Sequence, residues 1–321
     1  MRQVLKPDLV LPNLQKAKDW NKSDVRGALL AFQGSLCLYC GSWLKLDADE
    51  DGSSSQTDHF RPHKADGENH QGYLWLAYDW HNLFLSCDRC NNLKSNHFPL
   101  MDDGVRKTAL DREPLSDEKP LFVYPAKAPK DGIFKVEIDP KSLTHQLIPE
   151  AAFLEQGNHL LEHLHLNSRK GLSDKRNKAL DKASVALHHE GDFRSCILPW
   201  QPFSWLVCKA FPDEAREVAL PEADLFMLRL KSFADLLKRF NRVFTDADPT
   251  GVDTQEKRKS PHKLVIARVR MALAVLWLKP PSDVSQDLVK AYLTMVLNKS
   301  DMKQVQTYHT NLEKVQPSFN P

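Results

Sequence analysis

The sequence predicts an α+β protein that is mostly helical, with a small metal-organised module followed by a helical C-terminal domain. Three observations lead to this prediction. Two C-x-x-C pairs lie in the N-terminal third, apolar residues after Pro149 recur at helical spacing, and only short stretches alternate as strands do. We expect residues 1–112 to form the metal-organised module and residues 113–321 to form a linker and a helical domain.

The composition is that of a folded protein with little excess charge. Hydrophobic residues make up 41% of the 321 positions and charged residues 27%, which argues against general disorder. The 44 Lys and Arg nearly balance the 42 Asp and Glu, so the net charge of +2 excludes a polycation that coats nucleic acid. No apolar run reaches the ~18 residues of a membrane span, and the N-terminus lacks a secretion-signal pattern. We therefore expect a soluble cytoplasmic protein.

Local signals predict three elements in the N-terminal part. A helix is expected from Ser23 to near Gly34, because a capping residue precedes an apolar stretch that a glycine ends. Residues 57–60 can form a short strand, and Asn91 stands at the expected start of a second helix. The stretch 73–85 is rich in aromatic side chains, which we expect to fill the core of a small module, although they can also stack on bases.

The C-terminal part changes from a linker to helices. Residues 102–149 are rich in Pro, Asp and Lys, and only residues 133–138 alternate as a half-buried strand does. Phe226 to Phe244 include six apolar residues spaced by four and three, which form one face of a helix. Another helix is predicted from about His262 to Leu278.

Four of the six cysteines form the two C-x-x-C pairs, Cys37 with Cys40 and Cys87 with Cys90. A C-x-x-C turn lets both sulfurs reach one ion at ~2.3 Å, and two such turns make a closed tetrahedral site of the structural zinc type. We therefore predict a structural Zn2+ on these four residues. The alternative is four buried thiols without a metal.

Between and beside these pairs lie Asp58, His59, Asn82 and Asn91. One carboxylate and one amide oxygen are a plausible minimal protein ligand set for a hard cation such as Mg2+, and an imidazole can take a proton from an attacking water. Adjacent side chains on a regular strand point to opposite faces, so Asp58 and His59 share one phosphate only if the strand is distorted. Taken alone, an Asp-His pair is more often a polar surface feature than a catalytic one.

The order of these motifs resembles the HNH endonuclease family, whose catalytic core is the ββα-metal fold. The resemblance runs from Cys37 to about Leu100, through C-x-x-C, Asp-His, Asn-Leu and C-x-x-C-Asn-x-x-Lys. It implies a zinc-knuckle ββα-metal module and hydrolysis of phosphodiester bonds that depends on a divalent metal.

The resemblance also implies a role for each motif residue. His59 corresponds to the general base, Asp58 to a ligand of a single catalytic Mg2+ or Mn2+, and Asn82 to the residue that orients the base. Asn91 corresponds to the second metal ligand. Many members carry His there, so this chain is an H-N-N variant, and the change favours an oxygen-seeking ion. His81 and His97 flank the motif, and either is an alternative ligand in place of Asn91.

A closer resemblance is to the HNH nucleases of Septu and related retron-associated antiphage systems. It rests on the following segments: Asp58–Pro62, Tyr73–Trp80, Asn82–Cys87, Cys90–Lys94 and Phe98–Leu100, with looser matches at His165–Arg169 and Arg176. The resemblance implies an effector that works with an ATPase subunit of the ABC or SMC type, PtuA-like in these systems. The helical domain would then serve docking to this partner or self-association as a homo-oligomer.

Two basic residues are candidates for contacting nucleic acid. Arg61 follows the Asp-His pair at a turn, and Lys94 lies one helical turn beyond Asn91, so both are predicted to hold DNA phosphates. The alternative for Arg61 is an ordinary surface position. The basic residues between Arg169 and Lys178 form either a solvated helix face or a further DNA contact.

These observations predict a metal-dependent HNH endonuclease that cleaves DNA. A non-catalytic zinc-stabilised adaptor that binds nucleic acid or protein would need the same four cysteines. A stand-alone, restriction-like HNH nuclease would need the same catalytic residues but no ATPase.

Overall fold

The computed structural model describes residues 3, 4, 6, 8–11, 19–44, 55–67, 71–109, 115–129, 132–139, 144–189, 191–246 and 261–316. Within these ranges the chain forms a mostly helical α+β structure with two small sheets. The strands are β1 Ser55–His59, β2 Leu83–Cys87, β3 Phe134–Ile138 and β4 His145–Pro149. The helices are α1 Ser23–Gln33, α2 Asp88–Lys94, α3 Leu154–His163, α4 Lys170–His188, α5 Arg194–Ile197, α6 Ser204–Ala210, α7 Pro212–Glu217, α8 Glu222–Asp246, α9 Pro261–Leu278, α10 Gln286–Val296 and α11 Lys299–Glu313.

The chain divides into two compact units. The first consists mainly of Ser35–Leu44 and Asp58–Ala219, and the second mainly of Lys6–Gly34 and Leu220–Pro321. The predicted end of an endonuclease module at residue 112 stays a prediction, because a unit of packing need not coincide with a functional module. Among the helices that the structure describes, none has the length and apolar character needed to cross a membrane.

The first sheet pairs β1 with β2, and β2 leads directly into α2. All five residues of β2 are buried. Helix α2 begins at Asp88, three residues before the predicted start at Asn91. The earlier start has a local cause, because the Cys87 sulfur accepts a hydrogen bond from the Cys90 amide at 3.4 Å and so caps the first turn.

The second sheet is an antiparallel hairpin in which β3, predicted as residues 133–138, pairs with β4, which the sequence did not predict. The Asn167 side chain bonds both the amide (3.0 Å) and the carbonyl (2.9 Å) of Leu147 and so takes the place of a strand at the edge of β4. Arg176 is 2% exposed and donates to the Leu166 carbonyl at 2.9 Å and to Asn167. Arg176 therefore supports the hairpin and does not belong to a solvated basic face.

The second unit is organised around α9. This helix packs against α1, α8 and α11, and Met271–Leu278 are buried all round it, as expected of a helix at the centre of a bundle. The predicted apolar face of α8 is buried at Phe226, Leu230, Phe233 and Leu237, and the side chain of Phe244 lies outside the described residues. Helix α1 ends at Gln33, and Gly34 caps it with a φ of 73° that favours glycine, so the predicted end near Gly34 is confirmed. The N-cap is Lys22 and not Ser23.

The close approach of α1 to α9 depends on Gly27. A Cβ at this position would lie 2.6 Å from the Arg268 carbonyl oxygen, so Gly27→Ala should lower the free energy of unfolding by roughly 1–3 kcal/mol despite the better helix propensity of Ala. At Gly171 in α4 a Cβ would meet nothing within 4 Å, so Gly171→Ala should leave stability unchanged or raise it by up to ~1 kcal/mol. Denaturant unfolding measures the free energy of unfolding of each variant. If Gly27→Ala and Gly171→Ala changed it equally, the close approach of α1 to α9 would not depend on Gly27.

Candidate active site and metal centre

The four cysteines of the two C-x-x-C pairs come together in the first unit. Cys37, Cys40, Cys87 and Cys90 are all buried, none forms a disulfide, and their sulfur atoms lie within 4.8 Å of one another. Four thiols at this separation match the donor set and the closed geometry of a structural zinc site. The arrangement is compatible with zinc and with a scaffold role.

Local backbone geometry explains why each pair can present both sulfurs to one point. The first pair lies in a tight turn, in which the Gly41 amide bonds the Cys37 carbonyl at 3.0 Å and Gly41 has a φ of 70°. The second pair spans the junction of β2 and α2. Arg169 adds a positive charge, because one of its guanidinium nitrogens lies 3.3 Å from the Cys90 sulfur. A cation at this position favours thiolates, the form that binds metal.

Asp58 is buried between groups supplied by both cysteine pairs. Its side chain accepts a hydrogen bond from the Tyr39 hydroxyl at 2.5 Å, and Tyr39 lies inside the first C-x-x-C turn. The other carboxylate oxygen pairs with the Lys94 ammonium at 3.2 Å, at the end of the helix that contains Cys90. Burial, reinforced by the charge of Asp58, raises the pKa of Tyr39 well above its usual value, so Tyr39 remains a proton donor. The position of Asp58 thus depends on both cysteine turns.

His59, the predicted general base, is 5% exposed at the end of β1. Its Nε2 lies 2.9 Å from the Ala77 carbonyl, which can only accept, so Nε2 carries the proton and Nδ1 the lone pair. Burial is the main cause that lowers the pKa of His59 to about 4, so the ring is neutral near pH 7. The ring of His63 lies over it, with the two centroids 4.3 Å apart. The imidazole is chemically able to accept a proton through Nδ1.

Asn82, predicted to orient the base, bonds the main chain beside it. Its side-chain oxygen accepts from the Arg61 amide at 2.8 Å, and its amide nitrogen donates to the carbonyls of Arg61 at 3.0 Å and Leu76 at 3.1 Å. Its own carbonyl accepts from the Phe60 amide at 2.8 Å. These bonds hold the backbone on the C-terminal side of His59, so Asn82 can orient the base through the chain.

The two residues predicted to hold DNA phosphates are both buried. Lys94 is 0% exposed, and its ammonium donates to Asp58 and to the His59 carbonyl at 2.8 Å. Arg61 is 5% exposed and pairs with Glu118 at 2.6 Å. A buried cation is stable only when paired, and both partners lie far away in sequence, which the local pattern does not reveal. In this structure neither side chain is at the surface where a phosphate would bind.

Asn91, the predicted second metal ligand, is half-buried in the middle of α2. It precedes Lys94 by three residues, which places the two on the same side of the helix, the side that meets Asp58. The structure thus puts Asp58, His59 and Asn91 on neighbouring elements.

Glu118 is a site residue that sequence reasoning missed. It is 0% exposed and accepts from the Arg61 guanidinium, from the Tyr73 hydroxyl at 2.8 Å and from the Lys107 amide at 2.8 Å. Burial, together with the charge of Glu118, raises the pKa of Tyr73. No motif marks Glu118, because it lies 57 residues from Arg61 in a stretch interpreted as a linker.

A cavity of about 500 Å³ opens beside Arg61, His81 and Asn82. Neither Asp58 nor His59 lines it, so this cavity is not the position at which the predicted base would meet a substrate.

The zinc interpretation predicts the consequence of losing one thiol. Cys90→Ser should lower the zinc content by one ion per chain and lower the thermal midpoint, because zinc binding contributes to the folding energy of a small module. Cys208→Ala is the matched control, since Cys208 lies outside the cluster and should keep all the zinc. Elemental analysis and thermal melts measure both. If Cys90→Ser kept its zinc content, the prediction that the four cysteines bind zinc would be wrong.

The buried Arg61–Glu118 pair predicts an unequal response to charge removal. Glu118→Gln keeps the size of the side chain but leaves the Arg61 charge without its carboxylate, which should cost about 3–5 kcal/mol of stability. Asp103→Asn removes the carboxylate from the exposed pair with Lys119 and should change stability little, because exposed ion pairs contribute little. Denaturant midpoints of the two variants compare the pairs directly.

Among the curated proteins similar to this chain are two named Septu protein PtuB. The one from Bacillus mycoides (strain KBAB4) is 33% identical over 115 residues, which is 34% of this chain and 37% of that protein. The one from Bacillus thuringiensis is 33% identical over 120 residues, 37% of this chain and 41% of that protein. The chain therefore spans about two fifths of the length of these relatives. No family model matches the chain, and no solved structure matches it.

These relatives confirm the resemblance to Septu proteins that the motifs predicted. Membership of the wider HNH family stays a prediction. The chain is similar to Septu protein PtuB over about a third of its length.

Proposed function

We propose that this protein is a metal-dependent HNH endonuclease that cleaves phosphodiester bonds in DNA, as the effector of a bacterial antiphage system. One observation carries the proposal. Asp58 and His59 are both held at the end of β1 against α2, with the imidazole neutral and its Nε2 proton bonded to the Ala77 carbonyl. A surface Asp-His pair has no reason to be buried and oriented in this way.

The general base is His59. With Nε2 bonded to the carbonyl, Nδ1 takes the proton from an attacking water, and the Ala77 carbonyl stabilises the imidazolium that results. The low pKa of His59 is set chiefly by burial, so an approaching phosphate anion would raise it toward the working pH. His63 covers the ring and would have to move aside for the substrate.

Asp58 and Asn91 are the residues that would hold the catalytic cation. A bound Mg2+ or Mn2+ would supply the positive charge that neutralises the scissile phosphate and stabilises the leaving oxygen. Lys94 already places a positive charge beside Asp58, which supports this carboxylate as the cation-binding group. The cation would compete with Lys94 for one carboxylate oxygen of Asp58 and with the Tyr39 hydroxyl for the other.

The order β1, β2, α2, with a cysteine pair at the β2–α2 junction, supports assignment to the ββα-metal class. Zinc on the four cysteines would hold both turns, and the turns hold Asp58 through Tyr39 and Lys94. Asn82 and Glu118 would fix the main chain and Arg61 on the other side of His59. In this proposal the zinc is structural and the second cation is catalytic.

Binding to DNA would depend on a partner. With a net charge of +2, and with Arg61 and Lys94 buried, the chain releases few counterions on DNA and should bind weakly alone. Because its relatives are named Septu proteins, we propose an ATPase subunit of the ABC or SMC type as the partner that brings DNA to the site. This arrangement matches a cytoplasmic defence complex in which the nuclease is active only when assembled.

Replacing the base tests the proposal. His59→Ala should lower DNA cleavage by the co-purified complex by roughly 10²–10⁴-fold, the loss expected when a general base is removed. His188→Ala is the control, because His188 is exposed on α4. Cleavage of plasmid DNA with Mg2+ or Mn2+, with and without EDTA, measures the effect. Thermal melts and zinc content show whether His59→Ala remains folded.

The same experiment distinguishes the competing functions. A complex that never cuts DNA, or cuts equally with EDTA or with His59→Ala, would favour the non-catalytic zinc adaptor, which the burial of Arg61 and Lys94 also fits. Full cleavage by the isolated chain would favour a stand-alone nuclease that needs no ATPase.

A further inference from the structure

Three histidines outside the proposed active site converge in the first unit. His159 and His163 lie four residues apart on α3, so they occupy the same helix face. His97 follows the end of α2 by three residues. One ring nitrogen of each lies within 4.8 Å of the others, and the centroid of the His163 ring is 4.3 Å from that of His97 and 5.3 Å from that of His159.

Two of these imidazoles have a buried nitrogen without a hydrogen-bond partner. The Nε2 atoms of His159 and His163 are both buried and unpaired. Because Nε2 of His163 has no partner, the hydrogen bond that the Leu93 carbonyl accepts from this ring comes from Nδ1, and Nε2 carries the lone pair. A buried polar atom without a partner destabilises the folded state, so two such atoms in one cluster require an explanation.

We propose that His97, His159 and His163 form a second metal site, which takes Zn2+ through three imidazole nitrogens. With the proton of His159 likewise on Nδ1, a bound ion would accept both Nε2 lone pairs and remove the cost of burying these atoms unpaired. The i, i+4 pair on one helix with a third ligand from a separate segment is a suitable donor set for zinc, and it leaves a fourth position for water. Neutral imidazole is the binding form, and burial lowers the pKa of both His159, to about 4, and His163.

The surroundings of His97 fit the same assignment. Its Nδ1 lies 3.6 Å from a carboxylate oxygen of Asp66, so a small approach would let Asp66 accept from Nδ1 while Nε2 binds the metal. Carboxylates commonly orient a metal-bound imidazole in this way and raise its basicity. At zinc–nitrogen distances of ~2.0–2.1 Å the three nitrogens must approach one another to ~3.3 Å, so the nearly parallel rings would turn and close around the ion.

The second site would link α3 to the end of α2. The His97 amide bonds the Lys94 carbonyl at 2.8 Å, and the Lys94 ammonium holds Asp58. Zinc on the three histidines would therefore restrain the helix that carries Asn91 and Lys94, and the stability of this region should depend on zinc. This inference concerns metal binding alone and does not depend on the proposed nuclease function.

Metal content tests the inference directly. The chain, equilibrated with micromolar free Zn2+ and passed through a desalting column, should hold two zinc ions, and the double variant His159→Gln/His163→Gln should hold one. His188→Gln, an exposed helical histidine, is the matched control and should keep two. Cobalt in place of zinc distinguishes the two sites. The thiolate charge-transfer bands of the cysteine site should remain in the double variant, while the d–d absorption of cobalt at the histidine site should be lost.

A second measurement protects the test against misfolding of the double variant. For the unaltered chain carrying one zinc, added Zn2+ should raise the thermal midpoint in proportion to the logarithm of its concentration. The single variant His97→Gln, at a half-exposed position, should abolish this rise. An unaltered chain that holds one zinc and whose midpoint ignores added Zn2+ would overturn the proposal, as would a double variant that still holds two.

Discussion

Four sulfur atoms within 4.8 Å of one another constrain the rest of the candidate site. The two cysteine pairs are 47 residues apart in sequence at Cys40 and Cys87, and bringing them together also brings together what lies next to them. Tyr39 comes from inside the first turn and Lys94 from the end of the helix that follows the second. Both reach Asp58, so a carboxylate with no cysteine neighbour in sequence is positioned by the cysteine cluster.

Buried charge is the cost of this arrangement. Asp58, Lys94, Arg61 and Glu118 are all nearly inaccessible, and each is paired with an opposite charge. The two cations also donate to main-chain carbonyls, and the two carboxylates also accept from a tyrosine hydroxyl. Networks of buried charges add little stability compared with apolar packing. They do fix side-chain positions, because all of the hydrogen bonds can be made in one arrangement only. They define the geometry on both sides of His59, which a proton-transfer site requires.

The cluster of His97, His159 and His163 also consists of polar groups that are partly buried, but its ring nitrogens are not all paired. Phe122 packs edge-on against two of its rings, with its centroid 5.2 Å from that of His159 and 6.0 Å from that of His163. Two buried ring nitrogens are left without hydrogen-bond partners there, whereas both carboxylate oxygens of Glu118 accept hydrogen bonds. The contrast explains why the cluster indicates a missing ligand and the network around Glu118 does not.

The sequence by itself determined whatever depends on short spacing. The C-x-x-C turns, the helices around Phe226–Phe244 and before Lys279, the strand at 133–138 and the order of the motifs all follow from residues within a few positions of one another. Only the tertiary structure decided which side chains meet: Arg61 finds Glu118 at a separation of 57 residues, and Lys94 finds Asp58 at 36. The sequence therefore predicts phosphate contacts for the basic residues near the Asp-His pair, although folding buries them in ion pairs. The physical reason is that turn and helix formation are local equilibria, while burial and pairing of charge depend on the packing of distant segments.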